Sequence, residues 1–289
     1  MPVIVNMACG LANRMFQYSY YLYLKKLGFE VLTDYYTAAR LPHENVEWTK
    51  IFPEASLVQA PSGLVFRLGG GQDIFSRLRR RYNILNGVKQ MPTAFDYWTP
   101  EHDGKDRYII GVFQNAGMVD SVKDEVLAAF EFSEFEDKAN IELAREMAGC
   151  NSVAIHVRKG KDYMERIWYR NTCGMDYYRK AVDYISSRVE SPKFYVFTDN
   201  PEWVKENFEW IDYRLVQGNP TSGWGSHFDM QLMSCCRHSI VSNSTYSWWG
   251  AYLDRNADKI VVIPEIWFNP ESCSEYTSDR VLCNGWTAL

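Results

Sequence analysis

The residues of this chain best suited to chemistry lie in Asn151-Ser-Val-Ala-Ile-His-Val-Arg-Lys-Gly-Lys-Asp-Tyr163, where an alternating apolar run breaks at Gly160 into charge. The first half has the pattern of a buried strand, and the break marks a loop. In an open α/β sheet ligands bind beyond the carboxyl ends of the strands, so His156, Arg158 and Lys159 would face a binding crevice. An imidazole and two cations there point to an anion. A guanidinium donates two parallel, charge-assisted hydrogen bonds to a phosphate, and a lysine adds a point charge beside it. On spacing alone, the simpler reading is a solvated turn carrying charges of both signs, with His156 a satisfied core histidine.

Two further strand ends carry polar groups. Phe194-Tyr-Val-Phe-Thr-Asp-Asn-Pro201 places Asp199 just past an apolar run. A carboxylate there can accept two parallel N–H bonds from a guanine edge; it can equally cap the helix that Pro201 opens. Ser242-Asn-Ser-Thr-Tyr-Ser-Trp-Trp-Gly-Ala251 starts a helix with small hydroxyls. Backbone N–H groups and the helix dipole favour a phosphate at such an end, and an ordinary Ser/Thr cap is the simpler role. Asn13, at the start of the first helical run, can cap that helix or aim its amide at a ligand. The sequence contains no Ser/His/Asp signature, metal-binding His pair, P-loop or Asp-x-Asp motif. A bound diphosphate would therefore be neutralised by arginine and helix ends.

The elements that must position these groups follow an α/β rhythm. Residues 2–8 form an apolar strand, Cys9–Arg14 a turn, and 15–28 a helix with a basic last turn and Gly28 as its stop. This is the opening of a Rossmann-like unit without the full Gly-x-Gly-x-x-Gly fingerprint. After a strand at 30–34, residues 35–106 lose periodicity. They contain Gly69-Gly-Gly71, a turn rather than a phosphate loop because no strand precedes it, and Arg77-Leu-Arg-Arg-Arg81. The arginine run reads as a solvated helix face, with anionic lipid or a lipid-linked diphosphate as the alternative contact. A strand at 108–115 and helices at 121–130 and 135–148 lead to a domain boundary within 133–151. Strand and helix then alternate: strands 152–158, 193–198, 212–216, 238–242 and 259–263, helices 176–189, 201–208, 227–236 and 245–254. That is a doubly wound pattern.

A chain of 289 residues that is 46% hydrophobic supports two such domains. Its 10 Trp and 19 Tyr are enough for stacking sites as well as packing. A formal charge of −5 gives no global attraction to nucleic acid, so any anion site must be local. Seven scattered cysteines without zinc spacing read as reduced cytosolic thiols. Without a basic-then-apolar leader or a run of about 18 apolar residues, the expectation is a cytoplasmic protein with at most peripheral contact to the inner membrane. The sequon at Asn243 then has no consequence.

Taken in order, these segments resemble the bacterial α-1,2-fucosyltransferases of glycosyltransferase family 11. Gly10-Leu-Ala-Asn-Arg-Met-Phe-Gln-Tyr18 is similar to the family's Gly-Leu-Gly-Asn-Gln-Met-Phe-Gln-Tyr, and Tyr108-Ile-Ile-Gly-Val-Phe-Gln-Asn115 to its Gly-Tyr-Phe-Gln-Ser segment. His156-Val-Arg-Lys-Gly-Lys-Asp-Tyr163 resembles His-x-Arg-Arg-Gly-Asp-Tyr. Met175-Asp-Tyr-Tyr-Arg-Lys-Ala181, Phe197–Val204, Asp229–His238 and Ser242–Ala251 follow as the family pattern expects. The resemblance implies an α/β, GT-B type fold, two Rossmann-like domains facing a cleft. An acceptor-side domain would occupy residues 1–150 and a GDP-fucose-binding domain 151–289. It also implies inverting transfer from GDP-fucose to the 2-hydroxyl of a terminal galactose, on an oligosaccharide or a lipid-linked glycan, with no metal and no cofactor beyond the donor substrate. By the same carry-over Arg158 holds the β-phosphate, His156 and Asp199 contact guanine, Ser244 and Thr245 support the diphosphate with Lys159 beside them, and Asn13 approaches the donor.

The chain departs from the family pattern at Ala12, Arg14, Lys159 and the additional Lys161. Lys159 keeps charge and loses the guanidinium fork. Asp162 and Glu165 on the same loop are candidate general bases, each with a salt bridge as its alternative role. Two other functions stay open: a fucosyltransferase of different linkage or acceptor, shaped by region 35–106, and a non-catalytic nucleotide-sugar or glycan-binding module.

Overall fold

The computed structural model describes residues 1–35, 48–69, 73–85, 89–90, 96–170, 172–272 and 278–289. They form two compact units, Met1–Ser133 and Glu134–Leu289. Much of region 35–106, including Gly70 and Gly71, lies outside the described residues.

In the first unit a short run of β-branched residues, β1 (Val3–Asn6), is buried throughout. Cys9 takes φ 75° and Gly10 sits at the N-cap, so helix α1 (Leu11–Lys26) begins a turn earlier than residue 15. Gly28, at φ 87°, turns the chain into β2 (Val31–Asp34). Helices α2 (Trp48–Ile51), α3 (Ser62–Arg67) and α4 (Ile74–Leu85) and strand β3 (Lys89–Gln90) occupy the region that had no legible periodicity. The strand expected over 108–115 is only β4, Arg107–Ile109. Beyond it Phe113 adopts φ 51° and its ring stacks 4.1 Å from Tyr20. A Cβ at Gly111 would sit 2.6 Å from that ring, so the turn requires glycine. The expected helix 121–130 is two, α5 (Ala116–Asp120), capped by Asn115, and α6 (Lys123–Ala129). All strand pairs are parallel, in the order β2-β1-β4-β3.

The second unit opens with α7 (Lys138–Ala148), whose first turn Asp137 caps. Its Leu143 and Met147 pack with Tyr195, Leu232 and Met233. This helix therefore belongs with the second sheet, and the chain divides at 133/134 rather than at 150. The strands are β5 (Ser152–Val157), β6 (Lys193–Thr198), β7 (Tyr213–Leu215), β8 (His238–Ile240), β9 (Val261–Ile263) and β10 (Thr287–Ala288). They lie parallel in the order β10-β9-β8-β5-β6-β7. The helices are α8 (Lys161–Glu165), α9 (Met175–Ser186), α10 (Pro201–Asn207), α11 (Phe228–Ser234) and α12 (Thr245–Leu253). Side chains alternate across the pleat. Val153, Ile155 and Val157 pack with Tyr178, Ala181 and Val204 on one face, and Ala154 with Met147 and Leu232 on the other. The chain runs from β5 outward through β6 and β7, then returns to β8 on the other side of β5. In open α/β sheets a reversal of this kind marks where ligands bind, here beyond the carboxyl ends of β5 and β8. Among the described residues no helix is long and apolar enough to cross a membrane.

Candidate active site

At the end of β5 the chain passes from the fully buried Val157 to the half-buried Arg158, Lys159 and Gly160. His156, one residue before the end, is buried, and its Nδ1 lies 2.7 Å from Ser242 Oγ, beyond β8. That bond ties the two strands flanking the switch point. Burial, reinforced by the neighbouring Arg158 charge, pushes the His156 imidazole down to about 3. The ring is therefore neutral, and the positive charge at this strand end comes from Arg158 and Lys159.

The Arg158 guanidinium carbon sits 5.3 Å and 5.4 Å from the centres of the Tyr163 and Tyr169 rings, which stack at 4.8 Å with 4° between their planes. Lys159 Nζ lies 5.7 Å from the Tyr163 ring and 5.3 Å from the Trp203 ring. Burial lowers the Lys159 pKa, and interaction with Cys173 and Asp199 opposes that shift. Aromatic faces of this kind attract a cation through the ring quadrupole. The Tyr163 hydroxyl bonds Thr172 Oγ1 at 2.7 Å and donates to Asn243 Oδ1. Asn243 Nδ2 donates to Thr172 Oγ1 at 2.8 Å and to the Trp267 carbonyl at 3.0 Å. Tyr163 thus connects the loop after β5 to the start of α12.

The predicted residues fall as follows. Arg158, Lys159, His156, Ser244 and Thr245 lie at the carboxyl ends of β5 and β8, with Ser244 buried at the N-cap of α12 and Thr245 half-buried as its first residue. Ser244 makes no side-chain cap bond, so the simple Ser/Thr cap is not what places it there. Asp199 Oδ1 accepts from the backbone amides of Lys159 at 2.7 Å and Gly160 at 2.8 Å, pinning the cationic loop. The cap of α10 is Asn200, which accepts from Trp203 N–H and donates to the Lys159 carbonyl at 2.9 Å. Glu165 is exposed and pairs with the still more exposed Lys161 at 3.8 Å across one turn of α8. Asp162 lies in that turn, and its side chain is outside the described residues. In the first unit Asn13 does not cap α1; its Oδ1 accepts from Gln114 Nε2 at 3.1 Å. Arg14 is fully buried, with its guanidinium 4.6 Å from the centre of the Tyr35 ring.

Tyr163, Asn243, Ser242 and Thr172 carry much of the geometry and had no assigned role. Tyr163 and Asn243 were visible only as a motif end and a sequon, and Asn243 is 2% exposed with both amide atoms engaged. A separate cavity of about 440 Å³ lies beyond β7, lined among others by Asn140, Val216, Gly218, Asn219 and Phe228. Among the described residues no group of three or more His, Cys, Asp or Glu side chains is arranged to hold a metal ion.

Two parallel Rossmann-like sheets with an arginine at the switch point of the second define a GT-B glycosyltransferase architecture. The fucosyltransferase NodZ from Bradyrhizobium superposes with a TM-score of 0.51 at 11% identity, over 86% of this chain and 92% of that one. The family model described as "Glycosyl transferase family 11" matches residues 79–289, and the chain belongs to that family. An Escherichia coli O-antigen biosynthesis glycosyltransferase, WbnK, is 34% identical over 180 residues, 59% of this chain and 58% of that protein. An Escherichia coli α-1,2-colitosyltransferase is 26% identical over 95% of each chain.

Proposed function

We propose that this chain transfers L-fucose from GDP-fucose to the 2-hydroxyl of a terminal galactose, with inversion at the anomeric carbon and without a metal. The observation that carries this reading is Arg158 just past the end of β5, its guanidinium set against two stacked tyrosine rings. In the reaction the galactose oxygen bonds to the anomeric carbon, the fucosyl–phosphate bond breaks and GDP leaves. Negative charge grows on the β-phosphate as that bond stretches. A fixed donor aimed at such charge is typically worth ~10²–10³ in rate. Arg158 fills that role, with Lys159 as a second positive charge and the N-terminus of α12, at Ser244 and Thr245, as a set of backbone donors. Neutral His156 serves guanine as a hydrogen-bonding partner rather than as a cation, and Asp199 holds the cationic loop while facing the same base. The motif resemblance assigns Asn13 to the donor as well. Asp162 or Glu165 takes the acceptor proton. The acceptor is a galactose-terminated oligosaccharide or lipid-linked glycan on the cytoplasmic side. The α-1,2 linkage is supported by the motif resemblance and by the name of the relative that spans 95% of both chains.

That relative also favours a second reading of the donor. Colitose is fucose without its 3-hydroxyl, so both sugars can leave from the same GDP site. The test is GDP release from GDP-fucose and from GDP-colitose with a panel of β-galactosides, with and without EDTA, followed by linkage analysis. Acceptor-dependent, EDTA-insensitive release from GDP-fucose giving Fuc-α-1,2-Gal is expected. A strong preference for GDP-colitose would move the donor assignment. GDP binding without release across the panel would make the chain a binding module.

A further inference from the structure

We infer that α4 is a docking face for an anionic lipid bilayer, binding flat with its apolar side down and arginines on both flanks. The helix is inside-out for a helix packed on a soluble unit. Ser76 and Asn83 are its buried residues, whereas Ile74, Phe75, Leu78 and Tyr82 are 67, 71, 61 and 67% exposed. At 100° per residue those four side chains fall within about 100° of arc, one continuous stripe. Soluble monomers rarely expose a contiguous apolar face of this kind without a use for it.

The underside is fixed by polar contacts rather than by a core. Asp73 caps the first turn through the Ser76 amide at 2.9 Å and hydroxyl at 2.6 Å. Arg80 Nη1 donates to the Gly69 carbonyl at 3.1 Å, and Asn83 Nδ2 reaches the Arg67 carbonyl at 3.5 Å. The orientation of the stripe is therefore set by the fold.

What the stripe faces follows from charge. Residues 74–85 contain four arginines and no acidic residue, in a chain whose formal charge is −5. On the same wheel Arg77 and Arg81 lie along one edge of the stripe and Arg79 along the other, with the Arg79 guanidinium 4.6 Å from the half-exposed Phe66 ring. An apolar stripe with aromatic members, edged by cations that can extend to headgroup phosphates, is the pattern of an interfacial helix. A protein partner with an apolar groove would not require arginines on both edges, and a second copy of the face would set like charges against each other.

The experiment is flotation of the purified full chain with phosphatidylcholine vesicles and with vesicles that also contain phosphatidylglycerol, at low and high salt. Binding to the anionic vesicles only, weakened by salt, is expected. Each basic residue near an anionic surface is worth a factor of about five in binding, so the double variant Arg77→Gln, Arg81→Gln should bind about 30-fold more weakly. Phe75→Ser with Leu78→Ser should lose binding while keeping the far-UV spectrum and unfolding midpoint. The inference is overturned by wild-type protein that floats with neither vesicle, by equal flotation with both, or by light scattering that finds a dimer dispersed by Phe75→Ser with Leu78→Ser and no vesicle binding. The wild-type arms decide the matter if a variant fails to fold. None of these readouts depends on turnover, so they stand apart from the proposed reaction.

Discussion

Arg158 concentrates the proposed chemistry in one side chain, and its surroundings say what each substitution should do. Arg158→Ala removes the donor to the leaving β-phosphate and should lower kcat by ~10²–10³, with an unchanged unfolding midpoint because the side chain is half-exposed. Arg158→Lys keeps the charge without the fork and should recover only part of that loss. Asp199 poses a sharper question, since one carboxylate carries both a loop and a proposed base contact. In Asp199→Asn the Oδ1 acceptor for the Lys159 and Gly160 amides survives, but the second atom becomes a donor and cannot accept from guanine. A tenfold or greater rise in the Kd for GDP, with the thermal midpoint held, is expected from a guanine contact; unchanged GDP affinity would confine Asp199 to positioning the loop. Glu165→Gln decides between the two candidate bases: kcat within a few-fold of wild type assigns the acceptor proton to Asp162, and a fall of ~10²–10⁴ assigns it to Glu165, whose exposed carboxylate pairs with Lys161 in the free chain. The types and order of these residues were legible in the sequence. Their wiring was not: the Tyr163 to Asn243 bond spans 80 positions, and no local pattern records it.

At the scale of elements, the loop after β5 depends on Tyr163. Tyr163→Phe removes the hydroxyl that joins Thr172 and Asn243; Asn243 Oδ1 keeps the Cys173 thiol and Thr172 Oγ1 keeps Asn243 Nδ2, so the cost is that of the lost bonds, about 0.5–1.5 kcal/mol each. It also loosens the ring pair beside Arg158. The expected result is a lower unfolding midpoint together with a fall in kcat larger than any change in KM for the acceptor, measured by thermal denaturation and steady-state kinetics. The strands of the second unit could be located from their apolar alternation, because β5 and β6 are long enough for period two to register. Two-residue β10 is not. The strand expected at 108–115 failed for a physical reason: its apolar residues are buried in a turn built around Phe113 at φ 51° and Gly111, so burial continued after extended structure had stopped. The arginine run 77–81 does lie on a helix, α4, as its charge pattern suggests; the apolar stripe beside it goes unread because that face points outward, where hydrophobic patterning does not report packing.

Over the whole molecule, the buried histidines make stability depend on pH in a direction that can be worked out. His156 is held down to about 3 and His227 to about 4, both by burial, and His238 is lowered by burial and the adjacent Arg237. His238 Nδ1 also accepts the Ile260 amide at 3.0 Å, a bond lost on protonation. In the unfolded chain all three titrate near 6.5. Below that value the unfolded state binds protons that the native state refuses, so the stability these groups contribute is complete above about pH 6.5 and is lost as the pH falls toward 4 and then 3. Asp254 acts in the opposite sense: burial raises it to about 6, so its contribution is present below the ordinary carboxylate value and lost as the pH rises through 6. Between pH 7.5 and 6 the histidines act almost alone, and between 6 and 4 Asp254 partly offsets them. The unfolding midpoint should therefore begin to fall as the pH drops through 6.5 and keep falling toward pH 5, with Asp254 reducing the slope below pH 6. His156→Gln, which can still bond Ser242, should flatten the first part of that curve; an unchanged slope would mean that His156 carries a proton in the folded chain and that the strand end holds three positive charges rather than two.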